Sequence, residues 1–207
     1  MSQPEIAEAS LLSAERVRSL LEWVEKHPGR SEAVFPLMAA IACAALLPGE
    51  AVRLRVDDVT FSEGGGSEVL VRSGEGRKVP APSALVGVLR WWIDRANLKP
   101  GDLLFPDEHG GPLSPSVYRK AWKQAREGVL TPDELEAGQR GGVTRLRDSC
   151  LDLWLKAGVP AWLVAEWAGV KPSWLALRYP HRFRPGQFEI DWDHLAAVME
   201  LPKSPNP

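Results

Sequence analysis

The chain has 207 residues, 44% of them hydrophobic and 25% charged, with a formal net charge of −2. That length supports one well-buried domain or at most two small ones, and the composition excludes a disordered or fibrous chain. Near-neutral charge counts against strong non-specific nucleic-acid binding except through a local patch.

The opening "MSQPEIAEAS" has no basic n-region and no apolar h-region, so it is not a signal peptide. Cys43 and Cys150 lie far apart with no metal-ligand spacing around either. A reduced, cytoplasmic chain holding no metal and no cofactor is expected. The longest apolar run, "AVFPLMAAIACAALL", is about 15 residues with an internal proline, too short to cross a bilayer and suited to a buried helix. No membrane partner is expected.

In chain order, "SAERVRSLLEWVEKHPG" predicts a helix capped by Ser13, with Val17, Leu20, Leu21 and Val24 on one face and Pro28-Gly29 as its stop. Residues 31–47 predict a second helix, apolar nearly all round and therefore central. After a short "GEAVRLR" helix come "VTF", "EVLVR" and "RKVPAP", strands separated by the Gly-rich turns "SEGGGS" and "SGEG". From Ser83 the chain reads as helical again, through "SALVGVLRWWIDRAN", "SPSVYRKAWKQAR", "RLRDSCLDLWLKAG", "PAWLVAEWAG" and a shorter piece ending at Tyr179. "TPDELEAG" predicts one helical turn with a capping box, Thr131 with Glu134. A last helix is expected from Asp191, and both ends, about 1–11 and 201–207, are expected to fray. These elements predict an α+β fold, mostly helical, one domain over 1–207 with a small antiparallel sheet on one side.

Four segments hold a fixed order and spacing from about residue 12 to residue 184. "ALLPGEAVRLRVDDV" resembles the first arginine box of the tyrosine recombinases, the phage-integrase family, roughly G-L-R-x-x-E-x-x-x-L-x-x-x-D-V/I. "VRSGEGRKVPAP" is similar to the family's β-hairpin, where a lysine precedes an R-x-V-P strand. "TRLRDSCLDLWLKAGVPAWLVAEWAGV" resembles its H-x-L-R-H stretch with the later L-G-H, and "ALRYPH" the Y-x-H around the nucleophile. With the spelling "VAEWAG" and the "LTPDELEAG" insert, the chain is most like integrases of actinobacterial mobile elements. The resemblance implies the tyrosine-recombinase catalytic-domain fold and a phosphoryl transfer. A tyrosine attacks a DNA phosphate, two arginines and a His or Trp hold the non-bridging oxygens, a hairpin lysine protonates the leaving oxygen, and a histidine assists at the tyrosine.

Six positions carry that chemistry, and two keep their residue. The first arginine falls on Leu47, the lysine on Arg72, the first histidine on Thr144 and the late histidine on Val170, while Arg147 and Tyr179 are kept. Leu47 and Val170 donate no hydrogen bond to a phosphate oxygen. Arg72 holds a phosphate but is a poor proton donor, because its pKa lies above about 12. Losing one such donor commonly costs about 10²–10³ in rate. The resemblance therefore implies a degenerate recombinase, inactive in cleavage, that binds double-stranded DNA or a recombination complex as a regulatory or accessory factor. Two alternatives stand beside it: a protein–protein module on the same fold, and an active recombinase with a rearranged site. Trp174 or His181 would substitute for the donor missing at Val170 only after a loop shift. Asp57-Asp58 has no third ligand nearby and reads as a strand-entry turn.

Charge is uneven along the chain. Residues 140–184 carry eight basic residues against three acids, and the hairpin adds Arg72, Arg77 and Lys78. The expected DNA surface is Arg72, Arg77, Lys78, Arg145, Arg147, Lys171, Arg178 and Arg182. The family's upstream DNA-clamping domain is not recognised ahead of residue 12, so binding by this chain alone is expected to be weak unless it pairs with itself or another recombinase. Leu47 is expected to fold inward, as a hydrophobic plug packed near Val170 and the tryptophans of "AWLVAEW".

Overall fold

A computed structural model describes residues 5–63, 66–136 and 141–183. Helix α1 (Ala14–Lys26) begins where the Ser13 hydroxyl accepts a hydrogen bond from the Arg16 N–H, and it turns Leu20 and Val24 into the core. Helix α2 (Val34–Ala44) is buried on nearly every side, as its unbroken apolar sequence requires. It stops short of the end of the apolar run. Ala45 takes a left-handed conformation (φ +45°), which ends the helix, buries Leu46 and leaves Leu47 outside as the residue before the short helix α3 (Pro48–Ala51). The Glu50 carboxylate accepts from the Leu47 N–H at 2.8 Å, tying down the start of α3.

Three antiparallel strands follow in the order β1 (Val59–Thr60), β2 (Glu68–Val71), β3 (Arg77–Pro80). Val59 faces Val69, and Val69 faces Val79; all three are buried and form one cross-strand row. Side chains alternate along a strand, so Arg77 shares that inward face while Lys78 points to solvent. A cation turned inward needs partners. Arg77 donates to both Glu50 carboxylate oxygens, at 2.8 and 2.7 Å, and through Nε to the Trp167 carbonyl at 2.8 Å. The ion pair is nearly sealed, with both side chains 11% exposed, and Arg77 thereby anchors the hairpin to α3 and to the Trp167 backbone.

The remaining α-helices among the described residues are α4 (Ser83–Arg95), α5 (Pro115–Val129), the single turn α6 (Pro132–Glu134), α7 (Thr144–Lys156), α8 (Ala161–Ala168) and α9 (Pro172–Arg178). Helix α5 buries Tyr118, Ala121, Trp122 and Ala125, a stripe at helical spacing. The Thr131–Glu134 box forms as expected, and Glu134 also accepts from Arg16 at 2.6 Å. Helix α2 packs against α1, α4 and α7. A larger core surrounds α2, and a second, smaller one joins Ile6, Leu11, Ala45, Cys150, Leu151, Val164, Ala165, Leu175 and Tyr179. The mostly helical α+β expectation holds.

Fraying of residues 1–11 does not extend to 6–11. Ile6 and Leu11 are buried in the smaller core, and the Ile6 N–H donates to the Arg178 carbonyl at 3.1 Å. Their apolar contacts outweigh the usual mobility of a terminus. The helix expected from Asp191 lies outside the described residues. Among the described residues no helix is long and apolar enough to cross a membrane.

Burial alone would raise the Glu50 carboxyl, but the Arg77 guanidinium, the Leu47 N–H and the Ser73 hydroxyl together hold it below the usual carboxylate range. A carboxyl depressed in the folded state contributes stability above its unfolded pKa and loses it as pH falls through the folded value. Glu50→Gln leaves Arg77 uncompensated and should cost about 3 kcal/mol near pH 7, or roughly 6–12 °C in Tm. The penalty should shrink as pH drops below about 4.5. Thermal melts of both proteins across that range check the size and the sign.

Candidate functional site

An open cleft of about 700 Å³ lies between α3, the β2–β3 hairpin, α5 and the start of α7. Leu47, Arg53, Arg72, Ser73, Arg119 and Thr144 are among its lining residues. Three of the six motif positions therefore meet here: Leu47, Arg72 and Thr144. The other three, Arg147, Val170 and Tyr179, are not part of its lining.

Leu47 is not a plug. It is 44% exposed on the cleft wall, while Val170 packs against the smaller core beyond it. The left-handed turn at Ala45 is the reason: it gives the buried place to Leu46 and carries Leu47 out with α3. The cleft wall is thus apolar where a phosphate-holding guanidinium would be expected.

Tyr179 does not line the cleft and belongs to the smaller core. Its ring is 0% exposed, edge-on to Trp174 (centroids 6.3 Å, 74°) and to His181 (6.3 Å, 72°). Its hydroxyl donates to Asp148 Oδ1 at 3.4 Å, long for such a bond. Burial first, and then the Asp148 charge, push the phenol well above its ordinary value; Arg178 and Arg147 offset part of this. A nucleophile needs the opposite shift and a path to its substrate. Of the two candidates for a substitute donor, Trp174 packs edge-on against Tyr179 and His181 has its Nε2 on Asp152 Oδ1 at 2.8 Å.

Arg147 is 5% exposed, and its guanidinium points at backbone. Nη1 donates to the Ala45 carbonyl and Nη2 to the Ala168 carbonyl at 2.7 Å, the C-terminal ends of α2 and α8. In this structure it caps two helices.

Most of the other expected DNA-facing cations are also committed. Arg77 holds Glu50, Arg145 lies 3.7 Å and Arg178 3.2 Å from Asp148, and Arg182 holds Asp152 at 2.7 Å and approaches Glu8. Arg72 pairs with Asp58 at 2.6 Å and Lys78 with Glu68 at 2.9 Å, though both stay largely exposed. Lys171 is exposed at the start of α9. Asp58, expected in a strand-entry turn, caps the Arg55 N–H at 2.9 Å besides holding Arg72. Two cleft cations were not singled out from the motifs, Arg53 and Arg119. Amphipathic spacing was the available signal for Arg119, which directly follows the buried Tyr118.

The family model described as "Phage integrase family" matches residues 10–183. The chain belongs to the phage integrase family. Among solved structures, the XerH site-specific recombinase bound to difH substrate in a pre-cleavage complex is similar at 20% identity and TM-score 0.66, covering 97% of this chain and 56% of that one. The Tn1549 transposon integrase in complex with transposon right end DNA is similar at 15% identity and TM-score 0.63, covering 94% and 66%. The lambda integrase catalytic core is similar at 14% identity and TM-score 0.57, covering 77% and 90%. These likenesses show the fold, and this integrase-family chain spans just over half the length of the XerH protein. A search of curated proteins gave no significant match.

Because Leu47 is half exposed, Leu47→Arg should change stability by no more than about 0.5 kcal/mol and should not release Tyr179. A melt within about 2 °C of the parent, with no cleavage of nicked DNA, is the expected result. A drop of many degrees would restore the buried plug.

Proposed function

We propose that this integrase-family chain binds double-stranded DNA without cutting it, acting in the cytoplasm as a regulatory or accessory partner of a recombination complex formed with itself or another recombinase. The observation that carries the reading is the separation of the tyrosine from the cleft. A phosphate seated among Arg53, Arg72 and Arg119 would meet Leu47 and Thr144, while the Tyr179 phenol lies buried in the smaller core with its hydroxyl on Asp148. Strand cleavage needs in-line attack by a phenolate. Burial disfavours the phenolate, and the fully buried ring offers no surface to a strand, which supports the reading.

DNA as partner is supported by the family and by similar folds solved with DNA, XerH with difH, Tn1549 integrase with transposon end DNA and lambda integrase with a Holliday junction. Retention should be weak alone and should fall steeply as salt rises, since phosphate contacts release counterions.

Incubation with nicked suicide duplexes, followed by denaturing electrophoresis, should give no protein–DNA adduct. Fluorescence anisotropy on the same duplex should register binding at about 50 mM salt and its loss near 200 mM. A denaturation-resistant adduct abolished by Tyr179→Phe would return the chain to the active recombinases. Absence of salt-dependent binding at any concentration would favour the protein–protein module.

A further inference from the structure

The sequence predicts a DNA surface on the second box and the hairpin, yet most of those cations are engaged inside the fold. Arg77, Arg145, Arg178 and Arg182 are held by Glu50, Asp148 and Asp152, and Arg147 by helix ends. A guanidinium paired at close range adds little to the field outside the protein. Arg53 and Arg119 differ. Both are exposed, both line the cleft, and neither has an ion-pair partner among the described residues. The two acids that also line the cleft are occupied, Glu50 by Arg77 and Asp58 by Arg72.

Resting on the DNA-binding reading above, we infer that phosphate recognition in this cleft has moved from the position of Leu47 to Arg53 and Arg119, which together hold the sugar–phosphate backbone of duplex DNA. Arg53 lies on the stretch just after α3, and Arg119 is carried by α5 beyond Tyr118. They come from different elements, with Arg72 on the hairpin and Thr144 at the start of α7 completing the lining. Guanidinium groups present paired N–H donors to phosphate oxygens, and Thr144 adds a neutral one. The exposed Leu47 and half-buried Pro48, which also line the cleft, suit the apolar faces of deoxyribose. A second depression continues from the cleft, sharing Pro48, Tyr118, Arg119 and Thr144 and extending to Trp122, Arg126 and Gly142. Arg119 therefore stands where the two meet, which fits a polymer with successive phosphates better than a single free nucleotide.

Anisotropy titrations of a fluorescent duplex with the full chain, at several salt concentrations, test this. Arg53→Ala and Arg119→Ala should each weaken binding about ten-fold and lower the salt slope by about one per lost phosphate contact. Arg18→Ala, on the exposed side of α1, should change neither. Both positions are exposed, so circular dichroism melts should match the parent and exclude misfolding. Duplex binding by the parent with affinity and slope unchanged in the double variant would overturn the assignment while leaving the DNA-binding reading intact. No duplex binding by the parent would overturn both. Tight retention of deoxyadenosine monophosphate without retention of the duplex would assign the cleft to a free nucleotide and overturn it as well.

Discussion

The Arg147 guanidinium is a full positive charge inside a largely apolar core, and the fold around it has to supply the balancing negative charge. It does so with helix ends. The C-termini of α2 and α8 each carry about half a negative charge on their last carbonyls, and Ala45 and Ala168 offer those carbonyls to Nη1 and Nη2. Both helices stop on left-handed residues, Ala45 at φ +45° and Gly169 at φ +66°. Gly169 has a second reason to lack a side chain, because a Cβ there would lie 3.1 Å from Arg77 Nη1. Arg147 thereby fixes where α2 ends and where α8 ends relative to α7. The outward course of Leu47 and the placement of the Trp167 carbonyl that receives Arg77 follow from those two ends.

The same arrangement separates charge from chemistry. Two of the Arg147 donors go to backbone carbonyls and the residue does not line the cleft, and Tyr179 is packed as a core aromatic with its hydroxyl on Asp148. Asp148 stands where the family motif has its second histidine, and Arg145 and Arg178 close around it. Three of the six motif positions line an open cleft, Arg147 and Tyr179 are buried, and the partly buried Val170 packs against the smaller core. In this structure Arg147 is held by helix-end carbonyls and Tyr179 by core packing.

Sequence reading reached the fold because helix caps, the apolar α2 run and valine alternation are local signals that survive in three dimensions. It also located Leu47, Arg72 and Thr144 as neighbours through the motif spacing. It misplaced the Leu47 side chain because a left-handed alanine leaves no mark in composition; the turn is imposed by the contact of Ala45 with α7. It treated Arg77 and Lys78 as alike, although strand alternation with the buried Val79 already puts them on opposite faces. It counted arginines as available charges, whereas ion pairs such as Arg182 with Asp152, thirty residues apart in sequence, exist only after folding. Arg53 and Arg119 were passed over because they fall outside the motif positions.

The central claim is that Tyr179 is a sealed, protonated core residue and stays so on DNA. The chain has two tyrosines, so 3-fluorotyrosine labelling gives two fluorine resonances, assigned with Tyr118→Phe. The account predicts a Tyr179 resonance that shows no phenolate shift on raising the pH until the protein unfolds, and no broadening by a soluble paramagnetic agent with or without duplex DNA. A phenolate shift in the folded protein near or below pH 10, or solvent exposure of that resonance when DNA is added, would contradict it.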